Sequence, residues 1–345
     1  MYLRIIGSAP GESVVIVFDC GSVITIDCCQ SAGRNHTLDA LNDLGVDPRK
    51  VIYNIITHFH DDHIKGAADL INHCPNSKVV IPDAWTEDVF KMFVATVSDD
   101  TSLARVSVTK EIEKIFNVLQ GHKGRLFTVS ELTSLYPPPA YSHSTTESLI
   151  VLTPTAARKA KFLSSLAADI EDGEAAAYAF CESNKNWTSI CCVLRYGGKY
   201  IFLGGDVENF GPDYDLTSIH KNHLQSVAQY ELVKLPHHGS STSFCDELRD
   251  LIHSNNTIVA LTPYPRGHKA LPSLETVAYL HGVENVYVLA GQKVKTPRNQ
   301  RMRRSSLVID PVPKYRPGVL DFMDGQVDAK LCEGLESYIQ SRSSN

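Results

Sequence analysis

Two β-branched runs open the readable pattern, Ser13 to Phe18 (SVVIVF) and Val23 to Ile26 (VITI), on either side of Cys20-Gly21. Extended apolar runs broken by a glycine turn predict a hairpin, ending here at Asp27. A polar stretch follows. A helix is then predicted near Thr37 to Leu44, stopped by Gly45. Val51 to Ile56 (VIYNII) predicts a strand that runs straight into Thr57-His58-Phe59-His60-Asp61-Asp62-His63. Beyond it the period changes, because Ile64, Ala67, Ala68 and Ile71 recur at helical spacing, with Asp61 or Asp62 able to cap the helix. Lys78 to Ile81 predicts another strand, so the first part of the chain reads ββαβαβ.

From about residue 85 to 185 the pattern is helical, with helices predicted at Ala104 to Gln120 and Ala156 to Tyr178 around Tyr136-Pro137-Pro138-Pro139. This stretch reads as a helical insertion on the main fold. Strand patterns return at Ser189 to Tyr196, Lys199 to Leu203, Glu231 to Leu235, Thr257 to Leu261 and Val286 to Leu289. Helices near Phe244 to His253 and Ser273 to His281 separate some of them, giving a second αβ half. The expected division is one domain over 1–310 and a Pro- and Gly-rich tail over 311–345, with a last helix at Ala329 to Ile339.

Composition narrows the class. With 345 residues, 43% apolar and 21% charged, the chain can bury a sizeable core. The net charge of -6 argues against a bulk polyanion binder but permits a local basic patch. The start, MYLRIIGSAPGES, lacks the apolar core of a secretory signal, and no apolar run has the length of a membrane span. Nine cysteines, two pairs of them adjacent and none in CxxC spacing, read as reduced thiols, which makes a cytoplasmic setting the expectation.

The chemistry concentrates at His58, His60, Asp62 and His63. Imidazole and carboxylate are ordinary ligands of catalytic Zn²⁺. Alternate residues of an extended segment point the same way, so His58 and His60 can face one ion. The turn into a helix then lets Asp62 and His63 face a second. Asp206, after an apolar strand and Gly204-Gly205, is either a ligand or a helix cap. His268, alone, is as readily a surface-loop histidine. Lys234-Leu235-Pro236-His237-His238-Gly239-Ser240 ends another strand, where sites on open αβ folds collect. His237 and His238 can protonate a leaving oxygen, ligate metal, or merely cap a following helix.

The HxHxDH string and the order of the motifs resemble the metallo-β-lactamase superfamily. That resemblance implies an α/β fold, an αββα sandwich with metals at the strand edge. It implies metal ligation by His58, His60, Asp62, His63, Asp206 and His268, with Asp27 standing behind a ligand rather than on a metal. The PHHGS run and Gly11-Glu12-Ser13 are similar to hydrolase domains of bacterial DNA-uptake channel proteins and their free-standing relatives. One departure is Asn186, which stands where the superfamily has a third histidine of the first metal site. Amide oxygen suits harder ions than zinc, so two Zn²⁺ ions are the expected cofactor with Mn²⁺ as the alternative.

Six cations lie within Lys293, Lys295, Arg298, Arg301, Arg303 and Arg304. Together with Ser240 they are candidate phosphate contacts, or else a solvated loop. The expected function is metal-assisted hydrolysis of a phosphodiester in nucleic acid or a nucleotide, with Asp62 orienting the nucleophile and His237 or His238 protonating the leaving oxygen. A thioester or lactam hydrolase on the same fold, and a non-enzymatic module with a partial metal site, are the alternatives.

Overall fold

A computed structural model of the chain describes residues 1–8, 11–88, 90, 107–120, 122–137, 146–172, 184–209, 211, 230–243, 248–249, 252, 257–264, 270–293, 315–323, 326–330, 332–334, 337 and 340. Two eight-stranded sheets organise it. In spatial order the first runs Gln326–Lys330, Gly318–Met323, Tyr2–Ser8, Gly11–Val17, Val23–Ile26, Val51–Ile55, Lys78–Pro82 and Leu126–Val129. Its outer members are antiparallel, and from Val23–Ile26 onward the strands are parallel. The second runs Glu333–Gly334, Val286–Val288, Ile258–Leu261, Leu232–Lys234, Lys199–Leu203, Cys191–Tyr196, Ser148–Thr153 and Ser134–Tyr136, parallel across the four strands from Val286–Val288 to Lys199–Leu203.

Period-two alternation sorts the side chains into layers. Leu3, Ile5, Val14, Ile16, Ile24 and Ile55 meet Leu149, Val151, Leu194, Ile201, Leu203 and Leu232 between the sheets. Ile6, Val15, Val79 and Ile81 point the other way, against Leu41, Leu70, Ile71, Ile112 and Ile115 of the helices His36–Asp43, Ala67–His73 and Ser107–Gln120. Val193, Phe202, Val233, Val259 and Val288 likewise pack on Leu248, Ile252 and Leu280. The result is helix, sheet, sheet, helix. Because both faces of each sheet are covered, Gly11 to Ile16 is buried at every position and shows no polar face.

Some sequence expectations give way. Tyr2–Ser8 is a strand that the sequence reading left unassigned. Residues 85–185 do contain the helices Ser107–Gln120 and Ala156–Glu171. They also contain Leu126–Val129, Ser134–Tyr136 and Ser148–Thr153, which extend both sheets, so the stretch is not purely a helical insertion. In the tail, Ala329 and Lys330 lie in the strand Gln326–Lys330, so the helix expected over Ala329 to Ile339 does not start there, although Ser337 within that span is helical; Gly318–Met323 pairs with Tyr2–Ser8. These strands are short and lie between turns, and Gly318–Met323 meets Tyr2–Ser8 from some three hundred residues away, beyond the reach of a local pattern. The helix expected at Phe244 to His253 falls largely outside the described residues.

Candidate metal centre

The carboxyl ends of the parallel strands of both sheets meet at one edge, where open αβ sheets place their ligands. From the first half come Asp27 after Val23–Ile26 and residues 57–63 after Val51–Ile55. Asp27 adopts φ 59° and turns its carboxylate inward, where it accepts from Thr57 N at 2.8 Å. Phe59 buries its ring among Trp85, Phe90 and Phe162, at centroid distances of 5.5, 5.5 and 6.5 Å. Burial of such a ring is worth about 1.5–3 kcal/mol, and it anchors the loop so that His58 and His60 face away from it. His60 then caps the single turn Asp61–Ile64, whose His63 N–H and Ile64 N–H donate to His60 O.

The second half supplies Asp206 and the histidine pair. Gly205 at φ 53° has no room for a side chain, since a Cβ there would stand 2.4 Å from Ile190 O. A Cβ on its neighbour Gly204 would stand 2.8 Å from Pro236. This close passage brings Asp206, whose N–H donates to Ser189 Oγ at 2.9 Å, beside the Pro236–Gly239 turn. Within that turn His237 and His238 both adopt left-handed conformations, φ 44° and 53°. Left-handed backbone costs a non-glycine residue of order 1–3 kcal/mol, which suggests that the turn is held by the site around it.

The ligand-type atoms converge. His63 Nε2 lies 3.2 Å from Asp206 Oδ1 and 3.7 Å from Asp62 Oδ2. His58 Nε2 lies 3.6 Å from Asp206 Oδ2, and His60 Nδ1 lies 3.1 Å from Asp62 Oδ1. His238 Nε2 is 3.0 Å from Asp62 Oδ2 and 3.7 Å from Asp206 Oδ2. The rear nitrogens are engaged elsewhere: His63 Nδ1 donates to Asp27 Oδ2 at 2.7 Å, and His238 Nδ1 donates to Thr262 O at 2.8 Å. Such rear bonds set the ring orientation and leave Nε2 for a metal.

The two histidines of the PHHGS run therefore differ. His238 belongs with Asp62, His63 and Asp206. His237 points to the rim, with Nδ1 2.6 Å from Glu208 Oε1, off-axis for a hydrogen bond, and Nε2 3.4 Å from Asn186 Nδ2. Thr242 Oγ1 donates to Glu208 Oε1 at 2.8 Å, and Arg158, fully buried, donates to Glu208 O. Ser240, offered by the sequence as a phosphate contact, exchanges its hydroxyl with Thr242 at 2.9 Å within the turn. His268, Lys295, Arg298, Arg301, Arg303 and Arg304 lie outside the described residues.

Charge follows this packing. Burial pushes the Asp62 and Asp206 carboxyls up, yet the surrounding imidazoles hold both well below the usual carboxylate range. Burial pushes His63 and His238 down, but the neighbouring carboxylates outweigh it and raise both. His58 is lowered far below its ordinary value by burial and the adjacent imidazoles, and His60 is lowered to about 4, mainly by burial. Burial raises Asp27, against the pull of His63.

These residues fit divalent metal. His58, His60 and Asp206 offer ligand atoms all within 4.8 Å of one another. His58 Nε2, His60 Nδ1, Asp62 Oδ1, His63 Nε2, Asn186 Oδ1 and both Asp206 oxygens are buried without a hydrogen bond of ordinary geometry. Buried polar atoms are seldom left so, and here they aim at common points. Glu12, Glu208 and Thr262 were not picked out as site residues in the sequence. The signals available were Gly11-Glu12-Ser13 and the position of Glu208 two residues after Asp206.

The architecture, two sheets between helices, is consistent with the metallo-β-lactamase fold, and residues 7–144 match the family model described as the metallo-beta-lactamase superfamily. Metal binding is the common property of that superfamily, whose members are generally metal-dependent hydrolases. No curated protein matches the chain in sequence. Among solved structures it is similar to Igni18, a metallo hydrolase from Ignicoccus hospitalis, at 13% identity over 76% of this chain and 82% of that one, TM-score 0.39. A putative metallo-beta-lactamase from Thermotoga maritima matches at 14% identity over 67% and 93%, TM-score 0.37. CmlA, a diiron β-hydroxylase from Streptomyces venezuelae, matches at 14% identity over 68% of this chain, TM-score 0.35, and the match spans only 34% of CmlA. No helix among the described residues is long and apolar enough to cross a membrane.

Proposed function

We propose that the protein is a metal-dependent phosphodiester hydrolase acting on nucleic acid or a nucleotide. The observation that carries this reading is the cluster of buried, unbonded ligand atoms of His58, His60, Asp62, His63, Asn186 and Asp206 at the shared strand edge. One ion would be held by His58, His60 and Asp206 with Asn186 beside them. The other would be held by Asp62, His63, His238 and Asp206, with His268 a further candidate from the sequence. Zn²⁺ suits the imidazoles, and Asn186 keeps Mn²⁺ open. Bound ions supply Lewis acidity toward the scissile group and toward water.

The chain's own groups do the rest. Asp62 orients the attacking water and takes up its proton at Oδ1. His237, at the rim with Nδ1 facing Glu208, is the acid that protonates the departing oxygen. The preference for a phosphodiester rests on the PHHGS resemblance and on the basic run from Lys293 to Arg304.

A hydrolysis screen tests this, with and without added Zn²⁺ or Mn²⁺, over single- and double-stranded DNA, RNA, cyclic nucleotides and an acyl ester. Metal-dependent cleavage of a phosphodiester, lost together with bound metal in His63→Ala and Asp206→Ala, is the expected result. Cleavage of the acyl ester alone would replace the phosphodiester reading with acyl hydrolysis. A wild-type chain that purifies without metal and cleaves nothing would make it a non-enzymatic module.

A further inference from the structure

The ligands of the metal centre arrive on separate halves. His58, His60, Asp62 and His63 follow a strand of the first sheet, whereas Asp206 and His238 follow strands of the second. The interface between the sheets is mostly aliphatic, and aliphatic packing is non-directional. A small relative shift of the sheets would preserve much of that burial while pulling the two ligand sets out of register.

One charged contact crosses this seam directly behind the site. Glu12, on Gly11–Val17 of the first sheet, is 4% exposed, and Lys234, on Leu232–Lys234 of the second, is 2% exposed. Lys234 Nζ donates to Glu12 Oε1. Thr262 donates its hydroxyl to Glu12 Oε2, and its carbonyl is the oxygen that accepts from His238 Nδ1 at 2.8 Å. Glu12 Oε2 stands 3.6 Å from His238 Nδ1, and Oε1 stands 3.9 Å from His63 Nδ1. Glu12, His63 and His238 have the spacing of a cation site, and the cation paired with that carboxylate is the Lys234 ammonium. A small cavity beside the pair is lined by Val14, Ile26, Asp27, Thr57, Leu203 and Gly205 among others.

A buried ion pair is seldom the most stabilising choice at a site, because desolvation offsets most of the attraction. Its directional bonds do fix register, which apolar contacts do not. We propose that Lys234–Glu12–Thr262 is a register lock between the two halves, and that Glu12 is a positioning residue for His238 and, more weakly, His63. The proposal rests on the metal-centre reading above, and it specifies how that centre is assembled.

The test is a Co²⁺ titration of the full chain after removal of metal by chelator, followed by visible d–d absorption and by metal retention in mass spectrometry. The variants are Glu12→Asp and the double variant Glu12→Gln/Lys234→Met, which leaves no ammonium buried without a partner. Wild type is expected to take up two equivalents. The double variant should keep its far-UV circular dichroism and cooperative melting, yet bind the second equivalent about 10–100-fold more weakly, with an altered d–d spectrum. Glu12→Asp, which keeps the charge on a shorter stem, should recover part of that affinity. A double variant with wild-type affinity and spectrum would overturn the lock. If the double variant does not fold, Glu12→Asp decides: an altered spectrum in a folded chain supports the lock, and an unaltered one rejects it. A wild-type chain that takes up no Co²⁺ would instead sink the metal-centre reading, and the lock with it.

Discussion

Asp27→Asn separates the role of a carboxylate behind the site from that of the ligands themselves. Asp27 Oδ2 accepts from His63 Nδ1 and from Thr57 Oγ1, each at 2.7 Å, while Oδ1 accepts from Thr57 N at 2.8 Å and from Thr57 Oγ1 at 3.0 Å. Asparagine can keep its oxygen toward Thr57, but its NH₂ then replaces Oδ2 and faces His63. Two donors cannot share that contact, so His63 must move its proton to Nε2. That nitrogen is the one 3.2 Å from Asp206 Oδ1, and a protonated Nε2 has no lone pair for a metal. Loss of such a rear carboxylate lowers metal affinity about 10–100-fold, or about 1.4–2.8 kcal/mol at 1.4 kcal/mol per tenfold. Stability should fall by less than for Asp27→Ala, which leaves Thr57 N–H and His63 Nδ1–H both buried without acceptors at about 1–3 kcal/mol each. Competition against a chromophoric chelator measures the affinity, and ¹⁵N NMR of the imidazole reports the tautomer. An Asp27→Asn chain that shows the changed tautomer but wild-type affinity would refute the reasoning.

Other outcomes follow from the same geometry. Asn186→His should strengthen metal retention at the site of His58, His60 and Asp206, since imidazole is the better ligand for a borderline ion; equilibrium dialysis with Zn²⁺ checks this, and unchanged retention would mean that residue 186 does not reach the ion. Uptake of Zn²⁺ near neutral pH should release protons, because neighbouring carboxylates raise the His63 and His238 pKa values and metal requires the neutral rings. The sign is that these rings carry protons below their raised pKa values, so affinity must fall as pH falls; calorimetry in buffers of differing ionisation enthalpy reads the release, and a heat independent of buffer would contradict it. Neutralising Lys295, Arg298, Arg301, Arg303 and Arg304 together should weaken nucleic-acid binding and flatten its salt dependence by about one contact's worth per residue, with turnover of a nitrophenyl phosphodiester retained. Unchanged binding and salt dependence would remove the basic run from the substrate argument.

What the sequence determined by itself was whatever a short stretch of chain can encode. The apolar run Val51–Ile55 and the change of period at Asp61 place His58, His60, Asp62 and His63 around one turn, so the motif and its chemistry were legible before any fold was known. The apolar runs that became the central parallel strands were legible for the same reason. Tertiary structure decided everything that depends on one sheet's position against the other. Adjacent residues His237 and His238 look alike in sequence, and only the left-handed turn against Gly204-Gly205 sends one toward Asp62 and the other toward Glu208. The pairing of Glu12 with Lys234, 222 residues apart, depends on the register between the sheets. The place of Gly318–Met323 beside Tyr2–Ser8, within the first sheet, was equally beyond the sequence, because a short strand's partner is chosen by long-range docking that no local period records.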